Sequence, residues 1–200
     1  MELTLVTAST TTPVTLAQAK AHLYVTSTDW DADITSKLAS AVDYCERAIP
    51  GGKKFMSATY DMTLPEFPYA DEQIKIPLPP LNKVKHIKYY DADGVLQTYG
   101  STLGSTASST SWVQVKSSDY PGYVVPAFSR VWPTTRVRPD AVTIRFVAGS
   151  TAAASVPASA KHAVLLTLGD LWENRGDVPE QKTKNAVNRL LGVNHYGHYS

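Results

Sequence analysis

The sequence predicts an α+β fold: a small helical bundle formed by N- and C-terminal helices, with a β-rich insertion between them. Apolar residues recur every three or four positions in segments 1–50 and 156–191, which is typical of amphipathic helices. Segment 53–149 instead alternates apolar and polar residues between turn signals, which is typical of half-buried strands. Segment 192–200 has no periodicity and is predicted to be a tail.

Composition predicts one soluble globular domain spanning residues 1–200, because 200 residues is an ordinary domain size. A formal net charge of +1 argues against a uniformly basic nucleic-acid binder. Cys45 is the only cysteine, which excludes intrachain disulfides and cysteine-cluster metal sites. The chain has neither a basic leader nor an apolar run of about 18 residues, so we expect no membrane association and synthesis in the cytoplasm.

Four helices are expected. Leu16–Leu23 follows Thr15, whose hydroxyl is a suitable N-cap. A longer helix ends at Ile49, and Thr28 with Asp31 resembles a capping box at its start. Two more helices are expected, one after Pro157 and one over Lys182–Leu191. Cys45 falls on the apolar stripe of the second helix and is expected in the core.

The strand signals are uneven in quality. Ala141–Ala148 is the clearest, since its alternate residues are apolar. Val84–Tyr90 and Val95–Tyr99 flank Asp91–Gly94, and an Asp-Gly pair there predicts a hairpin. The alternation in Val84–Tyr90 is imperfect, which favours an edge position for that strand. Gly100–Ser111 is rich in Ser, Thr and Gly and is expected to be a long loop.

Motifs for catalysis, cofactors or metals are missing from the sequence, so we expect no enzyme activity, no cofactor and no metal. His195 and His198 are the closest pair of histidines, and a metal site built on them lacks a carboxylate partner. A hydrolase assembled only in three dimensions stays open as a rival. It would use His86 with Asp91 or Asp119.

Two surface features allow functional interpretations. The first is a local concentration of positive charge that could contact phosphate or an acidic partner, although the charge pattern favours a solvated sheet face and loop. It consists of Arg130, Arg136, Arg138 and Arg145. The second supports an alternative function, a β-rich carbohydrate- or receptor-binding module of a virion. Its stacking surface would be Tyr89, Tyr90, Trp112 and Tyr123.

An ordered set of segments resembles the head–tail connector (adaptor, or head completion) proteins of long-tailed bacteriophages. The resemblance runs from about residue 13 to residue 191, and no single segment is specific alone. The matching segments are Pro13–Leu23, Leu78–Leu81, Val84–Gly94, Trp132–Pro133, Ala141–Gly149 and Val156–Arg175.

The resemblance implies a structural role in the virion neck. Such proteins form a ring, typically dodecameric, beneath the portal protein. The ring extends the channel through which double-stranded DNA passes without sequence specificity, and a stopper or tail-completion protein docks on it. The family has no reaction and no cofactor. The resemblance also implies that a C-terminal segment binds the portal, here Gly192, Val193, Asn194, His195, Tyr196, Gly197, His198, Tyr199 and Ser200.

Overall fold

A computed structural model describes residues 1–100, 111–117, 120–174 and 181–192. It contains helices and antiparallel sheets, which confirms the α+β class. The chain groups into two compact units. The β unit comprises residues 1–9 and 57–149, and the helical unit comprises residues 10–56 with the described part of 150–200. The single-domain organisation stays a prediction. None of the described helices is both long and apolar enough to cross a membrane.

The helical unit contains four α-helices and one 3₁₀ turn within the described residues. They are α1 (Leu16–His22), α2 (Asp31–Ala48), the turn Ala153–Ser155, α3 (Ala158–Glu173) and α4 (Gln181–Leu191). The predicted stripe of α2 packs on α3, and both contact α4. Ile34, Ala41 and Cys45 are fully buried in this core, together with Ala163, Val164 and Leu168 of α3. The apolar faces of these helices therefore pack against one another, as expected for amphipathic helices.

The two predicted N-caps have different outcomes. Thr15 Oγ1 accepts a hydrogen bond from the Gln18 backbone N–H at the start of α1, and Gln18 Oε1 accepts one from the Thr15 backbone N–H, which completes a capping box. The capping box expected at Thr28 is wrong, because α2 begins at Asp31 and its N-cap, Trp30, makes no side-chain cap bond. Asp31 is the first residue of the helix and not its third, and its carboxylate accepts a hydrogen bond from the Lys20 ammonium at 2.6 Å.

The β unit contains two antiparallel sheets. A five-stranded sheet has the order β1–β2–β8–β4–β5, and a three-stranded sheet has the order β3–β7–β6. The strands are β1 (Glu2–Thr7), β2 (Ala58–Leu64), β3 (Ile74–Ile76), β4 (Leu81–Tyr90), β5 (Leu96–Thr98), β6 (Trp112–Val115), β7 (Gly122–Pro126) and β8 (Val142–Ala148). The hairpin at Asp91–Gly94 joins β4 to β5 as predicted. Residues 101–110 of the expected loop lie outside the described residues.

Strand β4 lies inside its sheet, so the expected edge position is wrong. Its pairing with β8 shifts register twice, between Leu81 and Lys83 and between Val84 and His86. Each shift changes which face the following residues occupy, and this produces the imperfect alternation that the sequence displays. The central strand β8 places Ile144 between Met62 of β2 and Ile87 of β4, and all three are fully buried.

Strand β1 is absent from the sequence prediction, which placed segment 1–50 in the helical part. It pairs with β2 at the edge of the five-stranded sheet, with Leu3 opposite Met62 and Leu5 opposite Tyr60. Leu3 and Leu5 alternate with Glu2 and Thr4, so the period-two signal was present. All six residues of β1 are exposed.

Candidate interaction surfaces

Two of the four predicted arginines already have carboxylate partners. Arg145 of β8 donates from Nε and Nη2 to the two carboxylate oxygens of Asp61 on β2, at 2.7 and 2.6 Å. The two residues face each other in the β2–β8 register, so the ladder itself sets this geometry. Arg138 binds both oxygens of Asp140 in the same way, at 2.6 and 2.8 Å, and its guanidinium lies 4.0 Å from the ring centre of Tyr90.

The other two arginines differ from this pattern. Arg136 donates its backbone N–H to the Tyr90 carbonyl and runs past the hairpin turn, where Gly94 leaves room for its side chain. Arg130 is exposed, and its guanidinium has no carboxylate within ion-pair distance among the described residues. The predicted phosphate or acidic-partner patch thus contains two arginines that are neutralised locally. Its binding role stays a prediction.

His86 lies beside Arg145 in the β4–β8 register and is only 4% exposed. Its Nδ1 has no hydrogen-bond partner in the described structure. Burial, followed by the positive charges of Arg145 and Lys88, lowers the pKa of the His86 imidazole below its usual value. The neutral imidazole is therefore the form that the fold favours.

The rival sites do not assemble in the described part of the molecule. The carboxylate of Asp91 accepts hydrogen bonds from the backbone of Asp93 and Val95 and from the Gln97 side chain. The hydrogen bonds of this carboxylate therefore stabilise the hairpin, and none of them comes from His86. Asp119 lies outside the described residues. Burial raises the pKa of the Cys45 thiol to about 11, as expected for an unreactive core cysteine. Across the described ranges, no group of three His, Cys, Asp or Glu residues could hold a metal ion.

The aromatic surface needed by the carbohydrate- or receptor-binding alternative is not continuous. Trp112 is buried, and Tyr89 packs on the core beside Phe67. Tyr90 follows Tyr89 in the same strand and lies under Arg138. Trp112 and Tyr123 belong to the other, three-stranded sheet. These positions do not favour a stacking row.

Apolar side chains are exposed at both edges of the five-stranded sheet. At the β1 edge, Leu5 is 53% exposed and Val6 is 41% exposed. At the other edge, Val95 and Leu96 of the β4–β5 hairpin are 55% and 51% exposed. Outer strands with apolar side chains are surfaces on which another polypeptide can pair or pack.

The helical unit contains a cleft of about 550 Å³ between α1, α3 and α4 that the sequence interpretation missed. Its polar lining includes His22, Asp170, Glu173, Asn174 and Lys182. Asp170 is 8% exposed; its Oδ1 accepts a hydrogen bond from Asn174 Nδ2 at 2.8 Å. Its Oδ2 has no partner in the described chain. Of the predicted portal-binding tail, Gly192 ends the last described segment, and residues 193–200 lie outside the described residues.

No protein-family model matches the chain, and a search of curated proteins gives no match. Solved structures do match. A chain from the neck of an empty GTA particle, computed with C6 symmetry, has a TM-score of 0.75 and 24% identity, over 96% of this chain and 94% of that one.

A chain from the neck of a native GTA particle, computed with C12 symmetry, gives a TM-score of 0.70 at 23% identity, over 95% and 94% of the two chains. A chain from the virion of a native gene transfer agent (GTA) particle matches at 0.70 and 23%, over 95% of each chain. These matches are consistent with the head–tail connector resemblance, and they show that the whole chain shares its fold with chains of gene transfer agent neck and virion structures.

Proposed function

We propose that this chain is a structural subunit of the neck of a tailed, phage-like particle, where copies of it form a ring at the head–tail interface. The observation that carries the proposal is the fold match to a neck chain over 96% of this sequence and 94% of the other. A match of that extent leaves little of either chain to specify a different architecture. The bundle of terminal helices with a β-rich insertion would be the common framework.

The finer proposal is the role of an adaptor. The ring, dodecameric in the virion, would sit beneath the portal protein, extend the DNA channel and present a platform for a stopper or tail-completion protein. The matched necks were computed with C6 and C12 symmetry, which supports a cyclic arrangement. A cyclic ring of identical chains needs two different flanks that meet head to tail. The two exposed edges of the five-stranded sheet, β1 and the β4–β5 hairpin, are candidate flanks.

The charge distribution suits a channel that DNA slides through. Each neutralised phosphate contact strengthens non-specific DNA binding, so a strongly basic wall would hold the double helix in place. This chain has a net charge of +1, and Arg145 and Arg138 are matched by Asp61 and Asp140. Contact with DNA would then be weak and independent of sequence. The proposal involves no catalytic step, and the absence of enzyme activity stays a prediction.

The decisive experiment mixes the purified full-length protein with a cognate portal and images the product by electron microscopy. We expect an axial ring stacked on the portal, with its lumen wide enough for double-stranded DNA. Immunogold labelling of intact particles should place the same polypeptide at the neck. A portal that remains bare, together with particles whose necks lack this polypeptide, would refute the proposal.

The tail segment 192–200 is proposed to bind the portal. Deleting residues 193–200 should abolish portal binding while the far-ultraviolet circular dichroism of the protein stays unchanged, because the sequence of this segment has no helical or strand periodicity. A matched control replaces the same eight residues with a Gly/Ser sequence of equal length, which separates the effect of sequence from that of chain length. Portal binding that survives both changes would exclude this role for the tail.

A further inference from the structure

We propose that the outer face of the five-stranded sheet docks the turn 66–72 of a second copy of this chain, through ion pairs between three lysines of β4 and the carboxylates of that turn. The inference deepens the proposed function, because it rests on the ring for the setting in which two copies meet. Three observations support it: an unmatched row of lysines, a rigid turn with unmatched carboxylates, and the placement of the two on different surfaces of one β unit.

The lysines lie on the side of β4 that points away from the core. Val84 and Ile87 are buried in the core of the β unit. Lys83 precedes Val84 and Lys88 follows Ile87, so both side chains point to the opposite, outer face of the sheet. Lys85 is the extra residue at the second register shift of this strand. We call the row Lys83, Lys85 and Lys88 the lysine face.

The positive charge of the lysine face is not balanced within the described chain. None of its three ammonium groups has a carboxylate within 4.0 Å among the described residues. The Lys85 ammonium donates instead to the hydroxyl of Thr59 on β2, at 3.3 Å. The carboxylate of Asp61, on the same face, is already bound by Arg145. A surface with unmatched cations attracts and orients an anionic partner surface.

The turn between β2 and β3 supplies the matching negative charge. Glu66, Asp71 and Glu72 are exposed, and no cation lies within 4.0 Å of their carboxylates among the described residues. No other stretch of seven described residues holds three exposed carboxylates without a cationic partner. We call residues 66–72 the acidic turn. Its charge and its count of charged groups both complement the lysine face.

The acidic turn is held in one conformation and presents an aromatic side chain. Phe67 stacks on Trp132 with ring centroids 4.9 Å apart. Trp132 donates its backbone N–H to the Ala70 carbonyl at 2.9 Å and its indole N–H to the Glu72 carbonyl at 2.8 Å. Ala70 has a φ of 53°, in the left-handed region, and Tyr69 before it is 85% exposed. A large aromatic ring on a fixed turn suits an interface anchor, and its face attracts an ammonium group.

The two surfaces belong to different parts of the β unit. The acidic turn connects the five-stranded sheet to the three-stranded sheet, and its Phe67 lies in the core between them. The lysine face lies on the other side of the five-stranded sheet. A contact between two different surfaces is heterologous, so each copy uses its lysine face toward one neighbour and its acidic turn toward the other. Such contacts close a ring when the rotation between copies closes.

Charge-swap variants test this contact by electron microscopy of rings assembled on a cognate portal. The face variant combines Lys83→Glu with Lys88→Glu, and the turn variant combines Asp71→Lys with Glu72→Lys. Either variant alone places like charges together at every contact, so we expect about tenfold or more fewer closed rings. An equal mixture should close rings again, with the two variants alternating, because each variant then meets its opposite charge on both sides.

A matched control combines Lys75→Glu with Lys116→Glu, which changes the net charge equally at exposed lysines outside the lysine face. This control should close rings alone and should not rescue the turn variant. Circular dichroism and the melting temperature of every variant should match those of the wild type. Normal rings from the face variant or from the turn variant would overturn the proposal. So would a mixture that closes no more rings than its parts, or a face variant that closes normal rings and loses only retention of double-stranded DNA.

Sedimentation without the portal separates this inference from the proposed function. The face and turn variants should associate when mixed at low ionic strength, and added salt should weaken that association. The Lys75 and Lys116 control should not associate with the turn variant. Association of the face and turn variants, with a wild type that never forms rings on the portal, would refute the proposed function and leave the contact standing. Wild-type rings on the portal, without association of the face and turn variants, would refute only this inference.

Discussion

The Asp61–Arg145 pair allows a quantitative test of how burial changes the value of one ion pair. The two residues join β2 to β8 through two charge-assisted hydrogen bonds, and their side chains are 19% and 35% exposed. The Arg138–Asp140 pair has the same two-bond geometry, with side chains 38% and 51% exposed. Both pairs lie in the β unit. The two pairs thus share their functional groups and two-bond geometry and differ in exposure.

Double-mutant cycles give the coupling energy of each pair. The changes are Asp61→Asn with Arg145→Met, and Asp140→Asn with Arg138→Met. Exposed pairs have coupling energies of about 0.2–1 kcal/mol, and close, desolvated charge pairs have coupling energies of about 1.5–7 kcal/mol. The intermediate exposure of Asp61 and Arg145 predicts a coupling of about 1–2 kcal/mol, against about 0.5 kcal/mol for the control pair. Arg138→Met removes the contact of Arg138 with Tyr90 whether residue 140 is Asp or Asn, so this contribution cancels in the coupling energy.

The assay is urea denaturation followed by tryptophan fluorescence. Trp112 and Trp132 report on the β unit, and replacing Trp30 and Trp172 with Phe removes the signal of the helical unit. The slope of free energy against urea should stay constant, so that shifts in midpoint measure stability. Added salt should reduce the coupling of the exposed control pair more than that of Asp61–Arg145. Couplings that agree within about 0.3 kcal/mol would refute the reasoning from burial.

Two further predictions concern the same sheet. Because the folded pKa of His86 is lowered from 6.5, the unfolded chain binds more protons just below that pH, so stability should fall as the pH drops below 6.5. The slope of the free energy of unfolding against pH should reach at most about 1.4 kcal/mol per pH unit. It should disappear in His86→Gln and persist in His162→Gln, a change at an exposed site. Equal slopes in both variants would contradict the assignment to His86. Ile144→Ala should cost about 2–5 kcal/mol in urea denaturation, because the side chain is fully buried in the central strand. Thr143→Ala, on the other face of β8, should cost less than about 1 kcal/mol, and a similar loss at both positions would show that the register is wrong.

The elements that sequence alone predicted are those with strong local signals. Strand β8 alternates cleanly, Thr15 is followed by a helix that it caps, and the Asp-Gly turn joins β4 to β5. Each of these depends on neighbours within a few residues. Strand β1 was missed although its apolar residues alternate, and its partner, β2, lies more than fifty positions along the chain. Strand β4 was misplaced because register shifts hide its alternation.

The candidate site was less predictable than the fold, for a related reason. The arginine cluster was recognised from its charge, but the neutralisation of Arg145 depends on Asp61, which is 84 positions away. The cleft brings His22 of α1 near Gly169 of α3, and no local pattern links them. The one available sequence signal was Gly169 itself, a glycine inside a helical pattern, which often marks a packing or functional constraint.

Polar groups that find a hydrogen-bond partner within this chain stabilise its fold, and those that do not are candidates for a role in assembly. Where polar groups are matched, as at Asp61–Arg145 and at the Thr15 cap, the partner comes from the same chain and the contact strengthens the fold. The acidic turn opposes local stability, because its carboxylates have no cationic partner among the described residues and Ala70 is held at a left-handed φ of 53°. Natural proteins depart from local rules mainly where function requires it. If Ala70→Gly raises the melting temperature, and Asp71→Lys with Glu72→Lys leaves it unchanged yet prevents ring closure, selection has kept the acidic turn for assembly and against stability. Variants that lower stability and assembly together would make the acidic turn a structural feature of the fold.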